Sequence, residues 1–143
     1  MSREKSSSEA RRWLDQAAAD LRAAEHSTRA GSHEWACFQA QQAAEKALKA
    51  LWFANGFEPW GHSVLKLIED YPDASVRLAR LESLSSSAKA LDKLYIPTRY
   101  PNGLPDLSPF EVYTEIEAQV AIAAARSVVA ACEPGLQERE PRQ

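Results

Sequence analysis

The residues best suited to chemistry fall into two short blocks. One is Thr98-Arg99-Tyr100-Pro101 with Tyr95 just ahead of it; the other is the run holding Gln42, Glu45, Lys46 and Lys49. A guanidinium fork matches the geometry of a phosphate and a tyrosine face stacks a base. Arg99 with Tyr95 or Tyr100 therefore reads as a nucleotide contact. The structural alternative has Arg99 paired with a carboxylate, pinning its loop to the body of the protein. Lys46 and Lys49 would add positive charge to the same pocket, unless Glu45 and Lys49 form an ordinary i,i+4 surface pair. Apolar positions flank this stripe on both sides, so Gln42, Glu45, Lys46 or Lys49 are expected in an interior network. His62 follows a glycine and precedes a helix; it either caps that helix, bonds a buried carbonyl or contacts phosphate.

Other chemistries find no pattern. The three histidines have no acidic ligand set beside them, so no metal site is expected. No Gly-x-x-x-x-Gly-Lys-Ser/Thr run occurs, which removes a P-loop. No Ser/His/Asp order or Cys–His pairing stands out, so no catalytic residue and no cofactor is assigned. Cys37 and Cys132 sit far apart in Ala-rich stretches and read as small buried apolar side chains in a reducing compartment. Trp13, Trp35, Trp52 and Trp60 are the large anchors, expected mostly in the core, although an Ala-rich face bearing Trp also suits a homodimer interface.

The elements that must carry these residues are helical. The chain has 143 residues, enough for one domain, and only five Gly against many Ala, Leu, Glu, Lys, Arg and Gln. A net charge of −3 argues against a general nucleic-acid coat protein, because that task needs a basic surface. No apolar run approaches the ~18 residues of a membrane span. The N-terminus lacks a signal-peptide core, so the expected address is the cytoplasm.

Residues 1–7 are expected to be disordered, with Ser8 capping the first helix. Trp13, Ala17, Leu21 and Ala24 form its apolar face, and Gly31 ends it. Ser32 caps a second helix whose stripe is Ala40, Ala44, Leu48, Leu51 and Trp52. A short helix follows His62-Ser63 and stops at Pro72. Ser75 caps a fourth, weakened at Ser85-Ser86-Ser87, with Leu78, Leu81, Leu84, Ala88 and Leu91 inward. Tyr95 to Pro109 carries four prolines in fifteen residues, which forbids regular helix. Its aromatics and Ile96 suggest that this loop is packed. The last helix starts at Ser108 or Pro109, turns Phe110, Tyr113, Ile116, Val120, Ala124 and Val128 to one side, and ends at Pro134-Gly135 before a disordered tail, 134–143. The expected fold is all-α: an up-and-down antiparallel bundle, residues 8–133, of four long helices and one short one.

Three blocks, in this order and spacing, resemble the HEPN family, the higher-eukaryote and prokaryote nucleotide-binding domain. They are Phe38 to Leu51 (FQAQQAAEKALKAL), Gly61-His62-Ser63 with its short leucine-bearing helix, and Tyr95 with Thr98-Arg99-Tyr100-Pro101. SSSEARRWLDQAAADLRAAE, Glu34-Trp35 with Cys37-Phe38, and TRYPNGLP are most similar to the sacsin-type HEPN domain. QQAAEKALKAL is closer to stand-alone prokaryotic members. The resemblance implies a five-helix bundle, a homodimer, and ATP or GTP bound at or near the dimer cleft, in service of a chaperone-like or nucleotidyltransferase partner. A ligand-free interaction module and a divergent ribonuclease are the alternatives. The ribonuclease branch carries Arg and then His after four to six intervening residues. Here Arg22 to His26 and Arg29 to His33 have three between them, no Arg precedes His62 at that distance, and no His follows Arg99. The acid–base pair is missing in its family form.

Overall fold

Helix-forming residues dominate the computed structural model, which describes residues 2–137, with side chains to 133. Helix α1 spans Arg3–Arg29, α2 His33–Ala54, α3 Val64–Glu69, α4 Ala74–Val76, α5 Ser85–Asp92, α6 Pro109–Val112 and α7 Glu115–Gln137. No strand occurs among the described residues, and no helix there is long and apolar enough to cross a membrane. The fold is the all-α bundle that the periodicity predicts.

Helix α2 is the central element. It packs on α1, α7, α3 and α5, so it is enclosed on several sides. Seven of its positions are alanines that let these neighbours approach: Ala36, Ala40, Ala43, Ala44, Ala47, Ala50 and Ala54 are all buried. The stripe Ala40, Ala44, Leu48, Leu51 and Trp52 is interior as predicted. Trp52 donates its indole N–H to the Leu67 carbonyl at 3.0 Å, so the polar end of this large side chain is satisfied. Cys37 and Cys132 are free and buried.

The turn from α1 to α2 follows from one glycine. Gly31 has φ 87°, a left-handed conformation that side chains with a Cβ resist. Its N–H reaches the Thr28 carbonyl while the Ser32 N–H reaches Ser27, which closes the helix end and reverses the chain.

Several boundaries differ from the sequence reading. Residues 3–7 are helical rather than disordered, because Ser2, not Ser8, caps α1 by accepting from the Lys5 N–H. Asp73, not Ser75, caps α4 by accepting from the Ser75 and Val76 N–H groups. The fourth helical stretch is irregular at Arg77–Leu81, a π turn, and Glu82–Leu84, a 3-10 turn, whereas the Ser85-Ser86-Ser87 segment starts regular helix. The extra residue of the π turn shifts the helical phase, and Leu78 faces solvent while Leu81 is buried. The last helix is broken at Tyr113, whose ψ of 134° is extended. Two capping boxes in succession cause the break: Ser108 with Glu111, then Thr114 with Glu117. Helix α7 also continues through Pro134 and Gly135 to Gln137, losing a ladder bond at the proline without ending there. The rest of the expected disordered tail, 138–143, lies outside the described residues.

The outward side of α7 is also corrected. Its buried face is Ala118, Ala121, Ile122, Ala125, Val128 and Val129, while Phe110, Ile116 and Val120 are exposed. Breaking the helix at Tyr113 decouples α6 from α7, so one stripe cannot run through both. Of the four tryptophans only Trp52 is buried and Trp13 half-buried; Trp35 and Trp60 are exposed. Ile96 is exposed as well.

Candidate functional site

Enclosure of α2 forces its polar residues to find partners inside the protein, since a buried charge without one is costly. Gln41, Glu45 and Lys49 lie one turn apart and are all buried. Glu45 accepts from Lys49 Nζ at 3.1 Å through Oε2 and from Gln41 Nε2 at 3.2 Å through Oε1. Gln42 donates to the Gln41 side-chain oxygen at 2.8 Å, which joins it to the same ladder. Lys49 also lies 5.5 Å from the centre of the Trp13 ring. Of the residues expected in an interior network, Glu45 and Lys49 are its members and Gln42 joins through Gln41, which the sequence reading does not name.

The ladder reaches the surface at His62. Its Nδ1 lies 3.3 Å from Glu45 Oε2, and its backbone carbonyl accepts from Gln41 Nε2 at 3.1 Å. His62 does not cap α3. That role belongs to Ser63, which accepts from the Lys66 N–H, and to Asp92, which accepts from the Ser63 hydroxyl and the Val64 and Leu65 N–H groups. Asp92 escapes a sequence reading because it caps across 28 residues of chain from Val64, beyond any local pattern. The His62 ring is 61% exposed and stacks on Tyr95, centroids 5.1 Å apart and planes 15° apart.

Tyr95 leads to Arg99. The proline-rich segment is packed where Thr98 is buried and donates its hydroxyl to the Leu94 carbonyl at 2.6 Å. This turn sets Arg99 among rings: its guanidinium carbon lies 4.3 Å from the Phe38 centroid, 4.6 Å from Tyr95 and 5.3 Å from Tyr100. Arg99 Nε donates to the Tyr95 carbonyl at 2.8 Å. Among the described residues no carboxylate pairs with Arg99, so the pinning role by ion pair is not how this arginine is held. Cation–π contact with three rings and the Nε bond hold the guanidinium in place and leave its terminal N–H groups for an incoming acceptor. Trp35 extends the ring series through Phe38, at 6.1 Å. Phe38 belongs to this site although it is not among the site residues expected from sequence; its distance along the chain from Arg99 hides the contact.

Gln42, Lys49, His62, Tyr95, Arg99 and Tyr100 thus form one connected series. Lys46 does not join it. Its Nζ bonds Asp20 Oδ2 at 2.6 Å, and it lines a separate groove with Glu9, Arg12, Trp13, Asp15 and Gln16. Neither Lys46 nor Lys49 contacts Arg99, and each already has a carboxylate. The expected convergence of three cations on one anion is replaced by a single arginine with no acid on it among the described residues, beside a histidine and a tyrosine. No group of three potential metal ligands occurs among the described residues. The thiols are poor nucleophiles: burial pushes Cys37 up to about 12, helped by Glu117 and Glu34, and burial pushes Cys132 up to about 12 against the pull of Arg80.

The model of the HEPN domain matches residues 10–135. TT1696 from Thermus thermophilus is 46% identical, with 88% of this chain and 97% of that one covered and a TM-score of 0.82. ST0689, an archaeal HEPN homologue, is 33% identical over 89% of this chain and 97% of that one, with a TM-score of 0.72. An HEPN domain protein, TM0613, from Thermotoga maritima is 35% identical over 88% and 98%, with a TM-score of 0.67. No curated protein matches.

Proposed function

The chain belongs to the HEPN domain family, and from that premise we propose that it is a non-catalytic, homodimerising accessory domain that binds a nucleotide, ATP or GTP, in the cytoplasm. The observation that carries this reading is Arg99, held among the Phe38, Tyr95 and Tyr100 rings with no carboxylate paired to it among the described residues. A phosphate accepts from the free edge of the guanidinium, and a base stacks on the exposed Tyr100 ring or beside His62. The buried Glu45 carboxylate and the Gln41 amide hold His62 in place. Gln42 and Lys49 support the site through Glu45 and Gln41, and Lys46 takes no part. Service to a chaperone-like or nucleotidyltransferase partner rests on the sequence resemblance alone.

Calorimetry with ATP and with GTP tests the reading. The expected result is saturable binding that weakens as salt rises, and at least tenfold weaker binding for Arg99→Ala, equivalent to about 1.4 kcal/mol. Heats equal to buffer dilution for both nucleotides would overturn it. The ribonuclease alternative has less support, because the family's Arg-to-His spacing is absent. Incubation with labelled RNA, with Arg99→Ala and His62→Ala as controls, checks it.

A further inference from the structure

We infer that the outward face of α7 is where a second copy of this chain docks, the two α7 helices lying antiparallel across a two-fold axis near Gln119 and Val120. The inference rests on the homodimer of the preceding reading and uses none of its nucleotide chemistry.

The inner face of α7 is already filled by the core. Its outer face carries Ile116, 77% exposed, and Val120, 60% exposed. With Gln119 and Ala123 these line a shallow, open groove, and their spacing of three, four and seven residues makes them one stripe of the helix. Phe110, 72% exposed, stands just ahead on α6. Apolar residues scattered singly over a surface need no explanation, but a continuous apolar stripe marks an interaction site.

Self-complementarity selects the occupant. An isologous contact requires that each residue find its complement on the same stripe. Antiparallel pairing about this axis sets Ile116 of one copy opposite Ala123 of the other, so a large side chain meets a small one twice. The same pairing sets Glu115 opposite Ala124 of the other copy, two residues or about 3 Å along the helix from Arg126, whose long side chain spans that offset. Arg126 remains 57% exposed in its side chain although it pairs with Glu25 of its own chain, so it has room for a second acid. Glu111, Glu115 and Glu117 are exposed around the stripe, a rim that repels an anionic lipid surface and disfavours a membrane as occupant.

Sedimentation velocity of the full chain reads the result. The wild type should run as a dimer, and Ile116→Glu or Val120→Glu should weaken the dimer at least tenfold while the circular dichroism spectrum and melting temperature stay near wild type. A second variant fixes the geometry: Gln119→Cys lies near the axis and should cross-link two copies on mild oxidation. The wild type, whose thiols are buried, and a Lys89→Cys control on α5 should not. A wild-type monomer overturns both the surface and the homodimer. A dimer indifferent to Ile116→Glu, or a Gln119→Cys chain that does not cross-link, overturns the surface and leaves the homodimer standing.

Discussion

Helices α2 and α7 have nearly the same length, 22 and 23 residues, and both are rich in alanine, yet they sit in opposite circumstances. Helix α2 has neighbours on several sides, so its polar residues are drawn inside and must satisfy one another. Helix α7 has neighbours on one side, and its second apolar stripe is left facing out. Apolar content alone does not say which face of a helix is buried; the position of the helix in the stack decides that. The same contrast separates two kinds of function, since α2 organises a site from within and α7 offers a surface.

The largest expected effect tests whether α2 is as enclosed as its contacts indicate. Glu45→Ala removes the acid from Lys49, whose side chain is only 11% exposed, and leaves a buried charge unpaired. Breaking such a pair costs about 3–5 kcal/mol, which urea unfolding will read as a lowered midpoint. Val120→Ala on the outer face of α7 should change the stability of the monomer by no more than about 0.5 kcal/mol. Similar losses in the two variants would remove the distinction between the helices.

A smaller effect compares the inner sides of the same two helices through their thiols. Cys37 and Cys132 are held up at about 12 by burial, from an ordinary value of 9.0. In the unfolded chain these thiols ionise near 9, while the folded chain keeps its protons. The unfolded state therefore binds fewer protons in that interval, and stability falls as pH rises. The contribution is fully present below about pH 9 and is lost progressively toward pH 12. Melting temperatures measured from about pH 8 to 11 should decline, and the decline should be shallower in the Cys37→Ala/Cys132→Ala double variant. Parallel curves for the two proteins would show that neither thiol is sealed.

Which of these features the sequence discloses depends on how local their causes are. The polar ladder of α2 is legible in part: Glu45 and Lys49 share one helix face bordered by apolar residues, but the sequence points to Gln42 where the buried member is Gln41. The Gly31 turn is legible because one residue type meets one backbone requirement. The break at Tyr113 is within reach as well: Ser108 with Glu111 and Thr114 with Glu117 both sit at capping-box spacing, but the continuous apolar period across Phe110, Tyr113 and Ile116 masks them. Contacts between distant segments are not legible. Nothing local announces that Asp20 takes Lys46 away from Arg99, that Asp92 caps α3, or that Phe38 lies against Arg99. The candidate site is thus readable as a set of residue types and unreadable in its pairing, which only the packing of α1, α2 and the proline-rich loop decides.

The smallest expected effect sharpens the comparison within α2 itself. Lys46 and Lys49 lie within one turn of each other, and each bonds a carboxylate. The Lys46–Asp20 side chains are 24% and 15% exposed at the lip of the groove formed with α1, whereas the Lys49 and Glu45 side chains are 11% and 5% exposed. Water at the lip solvates whichever partner is left, and Asp20 keeps its bond from Gln16 Nε2. Lys46→Met should therefore cost less than about 1 kcal/mol, a loss that shrinks further in high salt. Lys49→Met leaves Glu45 buried with only the Gln41 amide and His62 beside it and should cost several-fold more. Nucleotide affinity separates them again: Lys46→Met should leave it unchanged, while Lys49→Met should weaken it by freeing Glu45 and, through Glu45, the His62 ring. If both substitutions cost the same and leave binding equally intact, enclosure of α2 does not explain where the charges of this protein are put to use.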